Sequence, residues 1–420
     1  TWSGAPLAGI ELRQRPDQAR DRVVARHQVH REAQLTRRPG GHGPDARHAS
    51  PADVRADEPD EVPHGGGRGE GEPVHVPRRQ PLAQVHVPRA RGQRLVRRDL
   101  VDLAELLDVI ETAFERQAAG EVERPPRPHY PVGVGLDPED RAVPTGTGLV
   151  MPAYIHGAEY YVTKLVGVHE ENPARGLPTV RAQIAVSDAM TGEPVAYMDG
   201  SVVTAARTSC IGGLAARHLT SGALTVGVIG AGTQARWQIR AIATATSLES
   251  VAVYDLDRAV AESAVGEIRS DLDAAVEVAA DARSAVDGAD LVVTATTSPE
   301  PVFPGEALAP GAVVVAIGAY TPDMQELDET TVEGAARVFA DVPQEIAEIG
   351  DIAATDLRES DLIPFVAAFD GGTGDTTGTH EPGSGHIVVE SVGSAVMDAA
   401  AAAELFDAAV GADVGTLVEL

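Results

Sequence analysis

The chain has 420 residues, 43% of them apolar, which allows two or three domains with ordinary hydrophobic cores. Its formal net charge is −29, and residues 101–420 are strongly acidic, which argues against nucleic acid or an anionic membrane as a partner. The single cysteine, Cys210, excludes an intrachain disulfide and a thiolate metal cluster, and we assign no metal site.

The composition also indicates a location and an environment. The longest apolar runs, such as 312–317, are far shorter than a membrane span, and the N-terminus does not resemble a signal peptide. We therefore expect a cytoplasmic protein. A chain poor in lysine and rich in acids, alanine, glycine and valine is similar to proteins of salt-accumulating halophiles, so we interpret the acidity as environmental.

Residues 1–97 do not have the sequence of a domain. Prolines, glycines, histidines and arginines are scattered without helical or strand periodicity, and apolar residues are too sparse to define a core. The interpretations are a basic tail, a disordered extension or an out-of-frame translation of a GC-rich gene, and the last is favoured. We assign no function to this segment.

Periodic sequence begins near Asp99. Apolar residues then recur at helical spacing from Leu103 to Phe114, and Gly120 is placed to end the helix. Two prolines and Arg127 follow, and after them come segments with strand-like alternation.

Lys164 lies in one of these segments and is the only lysine of the chain. Because arginine cannot give up its proton under working conditions, a retained lysine suggests that a titratable amine is needed there. The alternative is that Lys164 has no catalytic role and that its aliphatic stem simply lies along an apolar strand.

A hairpin and a helix follow. Residues 182–186 and 194–198 alternate as strands around a turn signal, Asp199 and Gly200 open another turn, and a helix that contains Arg207 is predicted around 204–218.

The stretch 225–255 carries the strongest single motif, a strand, a glycine turn, a helix and a second strand that ends in Asp255. Gly230 allows the tight turn, Gly232 lets the backbone approach a pyrophosphate, and Ala235 lets the helix pack on the strand. The helix N-terminus then faces the phosphates with free N–H groups. The Asp255 carboxylate can bind the adenosine ribose, which favours NAD over NADP.

The remaining strands alternate with helices, as a doubly wound sheet requires. The strand-like segments are 274–279, 291–294, 312–317 and 337–341. Residues 370–386 are predicted as a loop, and 396–409 as a closing helix that is apolar on one side. The fold class is α/β, a Rossmann dinucleotide-binding domain with an α+β substrate and dimerisation domain.

A set of short motifs, taken in order and spacing, resembles the ornithine cyclodeaminase/mu-crystallin family over about residues 98–420. The motifs are Met151-Pro152-Ala153-Tyr154, Thr163-Lys164-Leu165-Val166, Asn172-Pro173, Gly176-Leu177-Pro178-Thr179-Val180, Thr191-Gly192-Glu193-Pro194, Asp199-Gly200, Ala206-Arg207-Thr208, Gly230-Ala231-Gly232-Thr233-Gln234-Ala235, Glu326-Leu327-Asp328, Glu348-Ile349-Gly350-Asp351 and Ser391-Val392-Gly393.

The resemblance implies a homodimer in which residues 98–208, completed by 390–420, form the substrate and dimerisation domain and 209–389 form the Rossmann domain. It implies Lys164 as the general acid/base, Arg127 as the clamp on the substrate carboxylate, and Arg207 facing that carboxylate or the cofactor phosphates. The expected cofactor-binding residues are Thr179, Arg207, Gly230, Gly232, Thr233, Gln234, Ala235, Asp255, Thr296, Thr297, Gly318 and Ser391.

The sequence departs from true cyclodeaminases at two places. Tyr320 stands where those enzymes have a proton-accepting acid, with Asp323 as a shifted substitute or a solvated turn residue, and 143–150 lacks the carboxylate that would hold the side-chain amine of ornithine. We therefore expect an NAD(P)-dependent oxidoreductase of a small α-amino acid or its imine, similar to alanine dehydrogenase or ketimine reductase. The alternatives are an ornithine cyclodeaminase and a non-catalytic dinucleotide-binding protein.

Overall fold

The computed structural model describes residues 100–136, 142–369 and 385–415. The predicted non-domain segment 1–97 and nearly all of the predicted loop 370–386 lie outside these residues. The helices are Leu103–Ala118 (α1), Gly200–Leu219 (α2), Thr233–Ala245 (α3), Arg258–Ile268 (α4), Ala282–Val286 (α5), Glu329–Glu333 (α6), Pro343–Ile346 (α7), Gly350–Ala353 (α8) and Ala395–Gly411 (α9). No helix in this part of the chain is both long and apolar enough to cross a membrane.

The strands fall into two sheets. Those of the first sheet are Val122–Glu123 (β1), His129–Val132 (β2), Gly146–Ile155 (β3), Tyr160–Val168 (β4), Val180–Asp188 (β5) and Pro194–Asp199 (β6). Those of the second sheet are Leu224–Ile229 (β7), Leu248–Tyr254 (β8), Ala275–Val278 (β9), Leu291–Thr294 (β10), Val313–Ala316 (β11), Arg337–Ala340 (β12), Ile363–Pro364 (β13) and Ile387–Glu390 (β14).

The first sheet is antiparallel, in the order β1-β3-β4-β5-β6, with β2 also paired to β3. Side chains alternate between its two faces, so Val162 and Lys164 on β4 are buried while Tyr161 and Leu165 are exposed. The helices α2 and α9 pack against this sheet, and α1 packs against both of those helices. The Asp102 side chain caps α1 by accepting from the backbone N–H of Ala104 at 2.9 Å.

The second sheet is entirely parallel, in the order β13-β12-β14-β11-β10-β7-β8-β9. Its central strands β10 and β11 are continuous buried apolar runs that end in Thr294 and Ala316, as expected when helices cover both faces. The carboxyl ends of β7, β10, β11 and β14 therefore lie side by side, and ligands bind at this edge of such sheets. The predicted α/β class with a Rossmann sheet is confirmed.

Two predicted helices differ from those observed. The helix α2 begins at Gly200 and not near residue 204, because the Asp199 side chain accepts from Ser201 N at 2.9 Å and acts as the N-cap of the helix rather than as part of a separate turn. The helix α9 was predicted to be apolar on one side only, yet residues 395–402 are all buried because the first half of α9 packs on the sheet and on α1 and α2 together.

Candidate active site

The glycine turn after β7 is shaped to receive a phosphate group. Gly230 has φ +91°, and a Cβ built there would lie 2.6 Å from the carbonyl oxygen of Ala295, so only glycine fits. Gly232 has open space above it, and α3 starts there without a side-chain cap. The N–H groups of Thr233, Gln234 and their neighbours are thus free to bind an anion at the helix N-terminus.

Two further members of the motif have defined surroundings. Ala235 is buried on the inner side of α3, so a small residue lets the helix pack on the sheet. Asp255 lies just beyond β8 and accepts from Ala231 N at 2.8 Å and from Asp257 N at 2.9 Å. Its carboxylate is therefore fixed beside the glycine turn, where the ribose of a bound dinucleotide would lie.

Glu326 joins the loops that follow β10 and β11. Its buried carboxylate accepts from Thr294 Oγ1 at 2.9 Å, from Thr296 N at 2.6 Å and Oγ1 at 2.7 Å, and from Gly318 N at 2.7 Å. The predicted cofactor contacts Thr296 and Gly318 thus already have an internal partner, whereas Thr297 is exposed at the same edge. Burial raises the pKa of Glu326 even though these hydrogen bonds oppose the shift.

The candidate acid/base lies on the buried face of the first sheet. Lys164 is 1% exposed, and its cross-strand neighbours are the apolar residues Met151 and Ile184. Its Nζ lies 2.7 Å from Oδ2 of Asp398 on α9, and the other oxygen of Asp398 accepts from Arg207 Nε at 2.9 Å. One buried carboxylate therefore joins the lysine of the sheet to the arginine of α2.

These surroundings change the proton affinity of the lysine. Burial lowers the pKa of Lys164 to about 8, Asp398 opposes this change, and the positive charges of Arg207 and Arg127 add to it. An amine with such a pKa can lose and regain a proton near neutral pH, as a general acid/base must.

The loop between β14 and α9 connects this cluster to the edge of the parallel sheet. Gly393 has φ +81°, and a Cβ there would lie 2.3 Å from Nη1 of Arg207, so the backbone approaches the guanidinium closely. The loop is held by Asp341, which accepts from Ser391 Oγ at 2.7 Å and from Gly393 N at 2.8 Å. The Ser391 hydroxyl, predicted as a cofactor contact, is therefore engaged inside the protein.

Arg127 contacts the same loop. Its Nη1 donates to the carbonyl oxygen of Val392 at 3.3 Å, and its Nη2 lies 2.7 Å from Oε2 of Glu345. The structure thus brings together the three predicted catalytic residues, with Arg127 and Arg207 both against the loop 392–393 and Lys164 joined to Arg207 through Asp398.

Three other predicted positions have clear locations. Thr179 lies in the loop before β5, where its carbonyl oxygen accepts from His169 N, and no described contact joins it to the glycine turn. Asp323 is exposed, as a solvated turn residue would be. Tyr320 is half-buried, and burial together with the nearby Glu170 raises the pKa of its phenol.

Sequence reasoning did not single out Asp398 or Glu345. Asp398 is the only charged residue in the apolar run 395–402. Because a charged residue is rarely buried without a partner, its position in this run is the sequence signal that could have found it. Glu345 lies on the short helix α7 among other acids, and nothing in the sequence distinguishes it from them.

Comparisons with known proteins identify the family of this chain. Residues 93–413 match the sequence model of the Ornithine cyclodeaminase/mu-crystallin family. The chain belongs to this family. It is 30% identical to the Delta(1)-pyrroline-2-carboxylate reductase of Bacillus cereus, over 77% of the chain and 97% of that protein. The family prediction is therefore confirmed.

Solved structures extend the family comparison. The Delta(1)-pyrroline-2-carboxylate reductase of Thermococcus litoralis, determined with NADH and L-proline, has a TM-score of 0.69 and 29% identity, covering 76% of this chain and 97% of that one. An archaeal alanine dehydrogenase dimer with bound NAD has a TM-score of 0.66 and 28% identity, covering 76% and 95%.

Proposed function

We propose that the protein reduces a small α-imino acid to the corresponding α-amino acid with NADH, and that Lys164 supplies the proton. The observation that carries this proposal is the completely buried Lys164, held 2.7 Å from Asp398 and close to two arginines. The protein is an NAD-dependent oxidoreductase that acts on a small amino acid or its imine.

The reaction follows from the groups at the site. The glycine turn and Asp255 would hold NADH, which would supply a hydride. The Cα–nitrogen double bond of the imine would gain this hydride at carbon and a proton at nitrogen, and Lys164 is the proposed donor of that proton. Arg127 is the proposed clamp for the substrate carboxylate, since a guanidinium meets a carboxylate with two parallel hydrogen bonds. Asp398 keeps the lysine and Arg207 in place.

Two features favour an imine reductase over an ornithine cyclodeaminase. Tyr320, a weak acid whose pKa is raised further, stands where the cyclodeaminases have a carboxylate. The cross-strand neighbours of Lys164 are apolar, and residues 142–150 of the described chain contain no carboxylate for a second substrate amine.

The test is steady-state NADH absorbance with three substrate sets at high salt, namely Δ1-pyrroline-2-carboxylate, pyruvate with ammonia, and L-ornithine. Net NADH consumption with either of the first two is the expected result, and the faster of the two identifies the reaction. Proline and ammonia formed from ornithine without net NADH change would select the cyclodeaminase. No reaction in all three would favour a binding protein.

We also propose that the protein is a cytoplasmic homodimer that pairs through the outer face of the first sheet. That face exposes large apolar side chains, including Tyr161 at 37%, Leu165 at 40% and Tyr197 at 60%. Monomers rarely leave such a surface in water. The alanine dehydrogenase described above is a dimer, which supports the proposal.

A further inference from the structure

Glu345 forms ion pairs with two arginines, Arg124 and Arg127, that lie near the start of the first sheet. Its Oε1 lies 2.6 Å from Arg124 Nη1, and its Oε2 lies 2.7 Å from Arg127 Nη2. The side chain of Arg127 is 14% exposed and that of Glu345 is 23% exposed, so solvent screens the contact only in part. Glu345 belongs to α7, immediately after β12, whereas both arginines lie between β1 and β2.

This contact occupies the group that is proposed to hold the substrate. A bidentate clamp presents two N–H groups to one carboxylate. In Arg127 one terminal nitrogen already donates to the carbonyl of Val392 and the other binds Glu345. A substrate carboxylate would therefore meet a guanidinium that already has a carboxylate partner.

Arg127 acts electrostatically on Lys164, the proposed proton donor. The positive charge of Arg127 lowers the pKa of Lys164, so the two residues are electrostatically coupled. Arg127 and Glu345 also act with opposite sign on His129, whose pKa is lowered first by burial and then by Arg127, while Glu345 opposes the shift. Arg127 is therefore coupled to Lys164 and is at the same time ion-paired with the carboxylate of Glu345.

We infer that Glu345 is an internal competitor that occupies Arg127 until the carboxylate of the substrate displaces it, and that Arg124 retains Glu345 after the exchange. This inference rests on the proposed function, in which Arg127 is the substrate clamp. It assigns Glu345 and Arg124 opposite effects on substrate affinity. Glu345 lowers that affinity by competing, and Arg124 raises it by drawing Glu345 away from Arg127.

The test compares Glu345→Gln and Arg124→Gln in the full-length protein at constant ionic strength, with Δ1-pyrroline-2-carboxylate and NADH. The glutamine at 345 keeps the shape and the hydrogen-bonding oxygen but removes the competing charge. We expect the KM for the imine to fall by about 2- to 5-fold, as for loss of one partly exposed ion pair, with a smaller change in kcat. Arg124→Gln should raise the KM.

A second readout separates competition from a change in structure. Inhibition by L-proline, which has a carboxylate, should tighten in Glu345→Gln, whereas inhibition by L-prolinamide, which lacks one, should not change. Glu348→Gln is the matched control, because Glu348 is exposed, lies three residues away and loses the same charge. Its KM should equal that of the unmodified protein.

The outcomes are distinct. If both variants at 124 and 345 raise the KM, Glu345 merely orients Arg127 and the inference is wrong. It is also wrong if Glu345→Gln binds L-proline as the unmodified protein does. If the unmodified protein does not consume NADH with any imine, the proposed function fails instead. Thermal unfolding of each variant shows whether the protein has remained folded.

Discussion

At the scale of single residues, the proposed chemistry depends on one lysine that the fold buries completely. Desolvation disfavours the ammonium form, and the neighbouring Arg207 and Arg127 disfavour it further, so Asp398 is needed to keep a proton on Lys164 near neutral pH. The sequence alone could single out Lys164 because no other lysine is present. It could not predict Asp398 as its partner, because these residues are far apart in the chain and only the packing of α9 on β4 brings them together.

The first prediction concerns Lys164→Arg. Arginine keeps the positive charge beside Asp398 but cannot release a proton, so kcat for imine reduction should fall by the ~10²–10⁴-fold typical of general acid–base catalysis. NADH affinity, measured by fluorescence titration, should remain unchanged because the glycine turn is untouched. Arg175→Lys, at an exposed arginine, is the control for exchange of cationic side chains. A variant with nearly full kcat would remove Lys164 from the mechanism.

The second prediction is the pH dependence of the same reaction. Reduction uses the protonated lysine, and the pKa of Lys164 is about 8, so kcat/KM should be level below that pH and fall tenfold per pH unit above it. Oxidation of the amino acid uses the neutral lysine, so kcat/KM for oxidation should rise with pH up to about pH 8 and be level above it. A reduction profile that stays level to about pH 10, the ordinary range of lysine, would contradict the assigned role.

At the scale of elements, the glycine turn and the end of β8 act together. Asp255 holds the turn through Ala231 N and the start of the next segment through Asp257 N, so its negative charge is fixed in one place. The sequence predicted these elements well, because the strand, turn and helix signals are local. It placed the start of α2 too late, because the pair Asp199-Gly200 is a turn signal as well as a helix N-cap. It missed the burial of α9, because packing against three neighbours depends on the folded structure.

The third prediction is that NADH binds more tightly than NADPH, by roughly tenfold or more, because the fixed carboxylate of Asp255 repels a 2′-phosphate. Fluorescence titration of both cofactors measures the ratio. Arg258→Ala is the informative companion, since Arg258 is exposed and paired with Glu262 at 2.9 Å rather than directed to a phosphate. The ratio of the NADPH and NADH dissociation constants should be unchanged in that variant. Tighter binding of NADPH than of NADH by the unmodified protein would overturn the prediction.

At the scale of the whole molecule, two sheets of different kind supply different parts of the proposed site. The antiparallel sheet provides Lys164, and the segment before β2 provides Arg127. The parallel sheet provides the glycine turn and the loop after β14, which lies against Arg207 of α2. The alternation of strands and helices predicted the parallel sheet, but not the insertion of β14 between β11 and β12, which determines where the loop 391–394 lies. Non-local pairing of this kind leaves no local signal.

The fourth prediction addresses the proposed dimer. Tyr197→Asp places a charge on the exposed face of the first sheet and should convert a particle of about twice 43.7 kDa into one of 43.7 kDa. Light scattering after size exclusion at fixed salt measures the mass. Thr244→Asp adds the same charge on the exposed side of α3 and should leave the dimer intact. A monomeric unmodified protein would contradict the proposal directly.

The measurement that tests the central claim most directly follows the hydride itself. Δ1-pyrroline-2-carboxylate is incubated with NADH that carries deuterium at C4 of the nicotinamide, and the proline formed is analysed by mass spectrometry and NMR. One deuterium at Cα, with one NADH consumed per proline, is the result that hydride transfer at this site predicts. Proline without deuterium from either face of the labelled cofactor, or no NADH consumption, would contradict the account.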